Sequence, residues 1–110
     1  MAYRVVWPHY ALADLDDIAE YIARDSRRAA LRVVDDILAA GGRLSAFPFS
    51  GGVVEAYGLE SVRQIFVGEY RLIYEIEDDV VEIWMVIHTR RRFPPRMIED
   101  RKRFSRRRRH

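Results

Sequence analysis

The stretch HTRRRF, residues 88–93, sets the imidazole of His88 two positions ahead of three consecutive guanidinium groups, Arg90, Arg91 and Arg92. Arg63, Arg71 and Trp84 precede it in segments that alternate apolar and polar residues, so one sheet could carry the whole set. Guanidinium groups stay protonated and pair with phosphate or carboxylate, whereas an imidazole can take up a proton near neutrality. Two kinds of work are open to such a set. It could hold an acidic partner, or it could contact phosphate. Plainer uses stand beside these. Arg71 could pair with Glu75 or Glu82 across neighbouring strands. An arginine run at a strand end is ordinarily solvated, and His88 could be a structural residue of the sheet. Trp84 is either covered or an anchor for a partner. His9 and His110 have no carboxylate or imidazole at ligand spacing, so neither a metal site nor another cofactor is expected.

The 110 residues are 49% hydrophobic, enough for one domain with its own core. Cysteine is absent, which excludes disulfides and thiolate metal sites and suits a reducing compartment. No basic leader with an apolar core opens the chain and no window is apolar enough to span a membrane, so a cytoplasmic location is expected. The net charge of +2 hides an asymmetry. Residues 1–87 carry 8 arginines against 15 acids, or −7, and residues 88–110 carry 11 basic residues against 2 acids, or +9. An acidic body with a basic terminus argues against a protein that binds a duplex along its whole surface.

The elements that must position these groups read as follows. AYRVVW, residues 2–7, is β-branched and aromatic and stops at Pro8, a first strand. Ala11, Leu12, Leu15, Ile18, Ala19 and Ile22 then recur at helical spacing to about Arg24. Ser26 stands where a new N-cap would, and Ala30, Val33, Val34, Ile37, Leu38 and Gly41 predict a second helix to about Ser45, closing a tight helical hairpin. After a loop at residues 47–52, SVRQIFV, YRLIYEIE and VVEIWMVIH are joined by the pairs Gly68-Glu69 and Asp78-Asp79, an antiparallel meander. The expected fold is α+β, with the hairpin on one face of a four-stranded antiparallel sheet.

Period two puts Tyr70, Leu72, Tyr74 and Ile76 with Val81, Ile83, Met85 and Ile87 beneath the helices. The opposite face would carry Ile73, Trp84 and Val86 beside Arg71 and His88, an apolar patch rimmed by charge that suits docking. Either the loop at residues 47–56 or the C-terminal segment could instead fold across it.

This order of elements resembles the RelE/ParE superfamily of toxins from bacterial type II toxin-antitoxin modules, over about residues 3–93. ALADLDDIAEYIARDSRRAALRVVDDI, EYRLIYEI and VIHTRRRF carry the resemblance, through their order and spacing. It implies a small toxin domain, residues 1–93, neutralised by a cognate antitoxin that wraps it, and a basic tail, residues 94–110. RelE-like members cut ribosome-bound messenger RNA; ParE-like members inhibit DNA gyrase by binding. By the resemblance, Arg71 matches the phosphate-contacting strand arginine and Arg90 the arginine past the last strand. The lysines of RelE-like enzymes are missing, with only Arg63 on the preceding strand, and no tyrosine follows Tyr74. In the RelE-like alternative that the resemblance implies, His88 would be the base and Arg71 and Arg90 the cations around the scissile phosphate, but a histidine like His88 also ends the last strand of ParE-like members. Together with the Ala-rich hairpin, these features favour the ParE-like branch: a gyrase-binding toxin without catalysis, using Arg63, Arg71, Trp84, His88, Arg90, Arg91 and Arg92 for target or antitoxin.

Met97, Ile98 and Phe104 could form a short amphipathic helix, and RRRR at residues 106–109 should be disordered in isolation. Nucleic acid, an acidic segment of the antitoxin, or no partner at all remain open for that run.

Overall fold

The computed structural model describes residues 2–109, with side chains through Phe104. The expectation for His110 lies outside the described residues. The elements are β1 (Arg4–Val6), α1 (His9–Ala23), α2 (Arg27–Arg43), a 3-10 turn (Pro48–Ser50), β2 (Gly52–Val53), β3 (Val62–Val67), β4 (Tyr70–Glu77), β5 (Val80–His88) and α3 (Pro95–Arg109).

Ser26 caps α2 as its position predicts, accepting a hydrogen bond from the Ala29 N–H at 3.1 Å. The two glycines near the end of α2 differ in kind. A Cβ on Gly41 would stand 2.5 Å from the Trp7 ring, whereas one on Gly42 would meet nothing. Gly41 is therefore where the end of α2 crosses the indole that follows β1. Ser45 completes this junction, its backbone carbonyl accepting from the Tyr3 N–H and its hydroxyl donating to the Tyr3 carbonyl.

The sheet has five strands in the order β1-β5-β4-β3-β2, not the four expected, and β1 runs parallel to β5, with Val5 opposite Val81. The expected meander is present, β3 to β4 to β5 all antiparallel. Apolar periodicity identifies strands but carries no information on direction, and β2, two residues long, is too short to show a period. Gly68 opens the β3-β4 turn at φ +58, as its place in a two-residue turn requires, and Asp78 holds φ +56 at the next.

A β-bulge decides which side chains face which way. Ile73 of β4 pairs with Met85, but Tyr74 pairs with Ile83, so Trp84 is the extra residue on β5. One inserted residue reverses the facing of everything after it. Val86 consequently packs under the helices with Leu15, Ile37, Leu72 and Tyr74, while Met85 and Ile87 join Ile73 and Trp84 on the far side. The expected assignment of Val86 and His88 to Trp84's face, and of Met85 and Ile87 to the helix face, is thereby corrected.

The far side is not open. α3 lies across it and buries Ile98, 1% exposed, against Trp84, Met85 and Val62. Met97 and Phe104, the other apolar residues of the expected helix, stay largely exposed. The arginine run expected to be disordered lies in the last turn of α3. Helices thus cover both faces of the sheet.

Candidate functional site

Arg71 projects from β4 on the far side, the same side as Ile73. Its Nη2 donates to the Arg91 carbonyl at 2.7 Å and its Nη1 to Gln64 Oε1 at 3.3 Å, while its buried Nε has no partner among the described residues. It makes no ion pair with Glu75 or Glu82, the partners that cross-strand pairing suggests. Its work is to fasten the turn after β5.

His88 stands on the other side. Its ring meets Tyr70 edge-on at 5.3 Å, and its Nδ1 accepts from the Arg90 N–H at 3.1 Å. Arg90, Arg91 and Arg92 follow on an exposed turn that the Arg91 N–H closes onto the His88 carbonyl. None of the three side chains has an ion pair among the described residues.

Arg63 is committed to the loop before β2. Its Nη1 donates to the Gly51 carbonyl at 3.0 Å and its guanidinium covers the Phe49 ring at 5.1 Å. The same loop is gripped by Tyr74, whose hydroxyl donates to the Pro48 carbonyl at 2.7 Å and accepts from the Gly51 N–H at 3.1 Å. Burial pushes this phenol up, opposed by the Gly51 hydrogen bond and the Arg63 charge. Trp84, the anticipated anchor, is only 2% exposed, and its indole N–H has no acceptor among the described residues.

The far side also holds two carboxylates. Glu75 and Glu82 are directly opposite one another on β4 and β5, 7% and 5% exposed. Lys102 of α3 reaches Glu75 at 3.6 Å and lies 5.7 Å from the centre of the Tyr57 ring, and the Tyr57 hydroxyl bonds Glu99. Basic residues read from the sequence as tail are therefore employed in closing the chain on itself.

The structure therefore does not gather the seven residues that the sequence singles out. Arg71 and His88 occupy opposite faces of the sheet, Trp84 is sealed, Arg63 serves a loop, and only Arg90, Arg91 and Arg92 are freely presented. What sequence reading missed is a groove between the two hairpin helices, about 400 Å3, floored by Leu15, Ala19, Ala30 and Val34 and edged by Leu31, which is 68% exposed. Its signal lay in the helical stripes themselves, which are wider than the core needs: Ala19 on α1 and Ala30 and Val34 on α2 line it, with Ala23 and Leu31 beside them at helical spacing.

Residues 5–93 match the family described as the ParE toxin of the type II toxin-antitoxin system parDE. Y4kP of Sinorhizobium fredii, a protein that carries the name of a toxin, is 36% identical over 93 residues, which are 83% of this chain and 93% of the relative. Among solved structures, the chromosomal ParDE toxin-antitoxin system from P. aeruginosa superposes with a TM-score of 0.66 at 20% identity, over 79% of this chain and 96% of the other. The RelBE2 toxin-antitoxin complex of Mycobacterium tuberculosis gives 0.56 at 28% identity, over 80% and 99%. A mutant of the E. coli toxin RelE in the free state gives 0.56 at 21%, over 82% and 86%.

Proposed function

The chain belongs to the ParE toxin family of type II toxin-antitoxin systems, and on that premise we propose that it arrests growth by binding DNA gyrase and not by cutting RNA. The observation that carries this reading is the separation of Arg71 from His88. Cleavage needs a base and charge-stabilising cations within hydrogen-bond reach of one phosphate. Here the bulge at Trp84 turns His88 to the helix side, and Arg71 stays on the side that α3 covers.

A cognate antitoxin is the second partner of this reading. Its apolar side chains fill the groove between α1 and α2, and its acids meet Arg90, Arg91 and Arg92, with a segment that orders on contact. The far side of the sheet, occupied by α3, is not offered to it.

Two assays on purified protein, gyrase supercoiling and ribosome-dependent message cleavage, separate the readings. Loss of supercoiling with intact message is expected. Cleaved message with normal supercoiling would overturn the proposal.

A further inference from the structure

The end of the molecule where α1 turns into α2 carries an acidic groove walled by tyrosines. Two adjoining cavities, about 510 and 400 Å3, share Tyr21, Tyr70 and His88. Asp25, Asp36 and Glu69 line the larger and Asp14 and Asp17 the smaller, with Arg91 on the wall of the smaller. Asp17, Asp25, Asp36 and Glu69, four carboxylates, have no ion pair among the described residues, whereas Asp14 and Glu75, on the side of α3, each have one. Burial and then the charge of Glu69 push the Tyr70 phenol up, in keeping with negative surroundings. The Tyr21 ring already accepts a guanidinium, that of Arg24, 5.9 Å from its centre. Carboxylates that take forked hydrogen bonds, next to aromatic faces that take a planar cation, suit arginine side chains.

The same chain carries such side chains at its other end. Arg106, Arg107, Arg108 and Arg109 form the last turn of α3. The helix that carries them runs away from the chain's own groove. α3 meets Asp14 through Arg101 and then His9 through Phe104, so it runs toward the first residue of α1 and past it. Tyr21 lies at the opposite end of that 15-residue helix and Asp25 just past it, roughly 20 Å away. We infer that the acidic groove receives the arginine run, residues 106–109, of a second copy of the chain, so that copies associate head to tail. Donor and acceptor surfaces differ, so each contact is heterologous, and the rotation between copies sets whether the assembly closes into a ring or extends. Four arginines face four carboxylates across a solvated surface, and salt screens that attraction.

Sedimentation velocity on the full chain, at about 50 mM and about 500 mM salt, tests this where the screening length changes most. Above-monomer mass that grows with concentration is expected at low salt, and monomer at high salt. A chain ended after Phe104 keeps the groove without the arginines. The variant Asp25→Asn, Asp36→Asn, Glu69→Gln keeps the arginines without the groove's charge. Each alone should be monomeric at low salt, and the two mixed should form a one-to-one heterodimer and nothing larger. A full chain that stays monomeric at low salt overturns the inference. So does assembly that survives in the groove variant, and so does assembly that nuclease treatment removes, since nucleic acid would then be the bridge.

Discussion

Asp14 and Arg101, 87 residues apart in the chain, meet in a two-armed ion pair that joins α1 to α3, with nitrogen-oxygen distances of 2.8 and 2.9 Å. The pair does more than link helices. β1 covers only the first three residues of β5, which leaves the edge beyond Glu82 unpaired. There Asp14 accepts from the Val86 N–H at 3.0 Å and Arg101 donates to the Trp84 carbonyl at 2.8 Å. An exposed sheet edge is thus capped by side chains at the bulge itself. Arg101 also lies over the Tyr10 ring at 5.0 Å.

Arg101→Ala should therefore destabilise the fold by about 2–3 kcal/mol, because it strands a partly buried carboxylate and a carbonyl. Asp14→Ala should cost about as much, and the double variant clearly less than the sum, the mark of a direct pair. Urea unfolding of the three variants measures this. Additive losses would show that the pair is not coupled.

The two glycines ending α2 should respond oppositely to the same change. Gly42→Ala adds a methyl in open space on a helix and should stabilise by about 0.5–1 kcal/mol. Gly41→Ala drives a methyl into Trp7 and should cost about 1–3 kcal/mol despite the better helix propensity. Thermal unfolding with tryptophan fluorescence reports both stability and the displacement of Trp7.

Tyr74→Phe removes one donor and one acceptor from a buried loop and should cost about 1–3 kcal/mol. Its pH dependence follows from the raised folded-state phenol. The folded chain holds that proton more tightly than the unfolded chain, whose tyrosines ionise near about 10. The contribution is therefore fully present below about 10 and lost as pH rises through the raised folded value. Stability against alkali, followed by circular dichroism, should fall over that window in the parent chain and fall less steeply in Tyr74→Phe. Equal slopes would remove Tyr74 as the source.

Leu31→Lys should leave the stability within about 0.5 kcal/mol of the parent, since the side chain is exposed. It should weaken antitoxin binding at least tenfold by placing a charge at the lip of the hairpin groove. Titration calorimetry with the cognate antitoxin gives the number, and undiminished affinity would move the antitoxin off this groove.

The local sequence determined the elements other than β2, because they are written in short-range terms: Ser26 as a cap, the three- and four-residue spacing of Leu15, Ile18 and Ile22, and turns at Gly68 and Asp78 between alternating strands. It also marked Arg90, Arg91 and Arg92 as a presented cluster. Tertiary structure alone decided where the other candidates ended. A bulge is a count of residues across two strands, and no pattern within β5 records that Trp84 has no partner on β4. That single offset put His88 and Arg71 on opposite faces. The sequence allowed the C-terminal segment to close the far side but could not decide it, because one apolar residue of α3, Ile98, is buried there and the rest of the seat is made by charges pairing across the fold, Arg101 with Asp14 and Lys102 with Glu75. Charges distant in sequence read as solvated until the chain brings their partners to them.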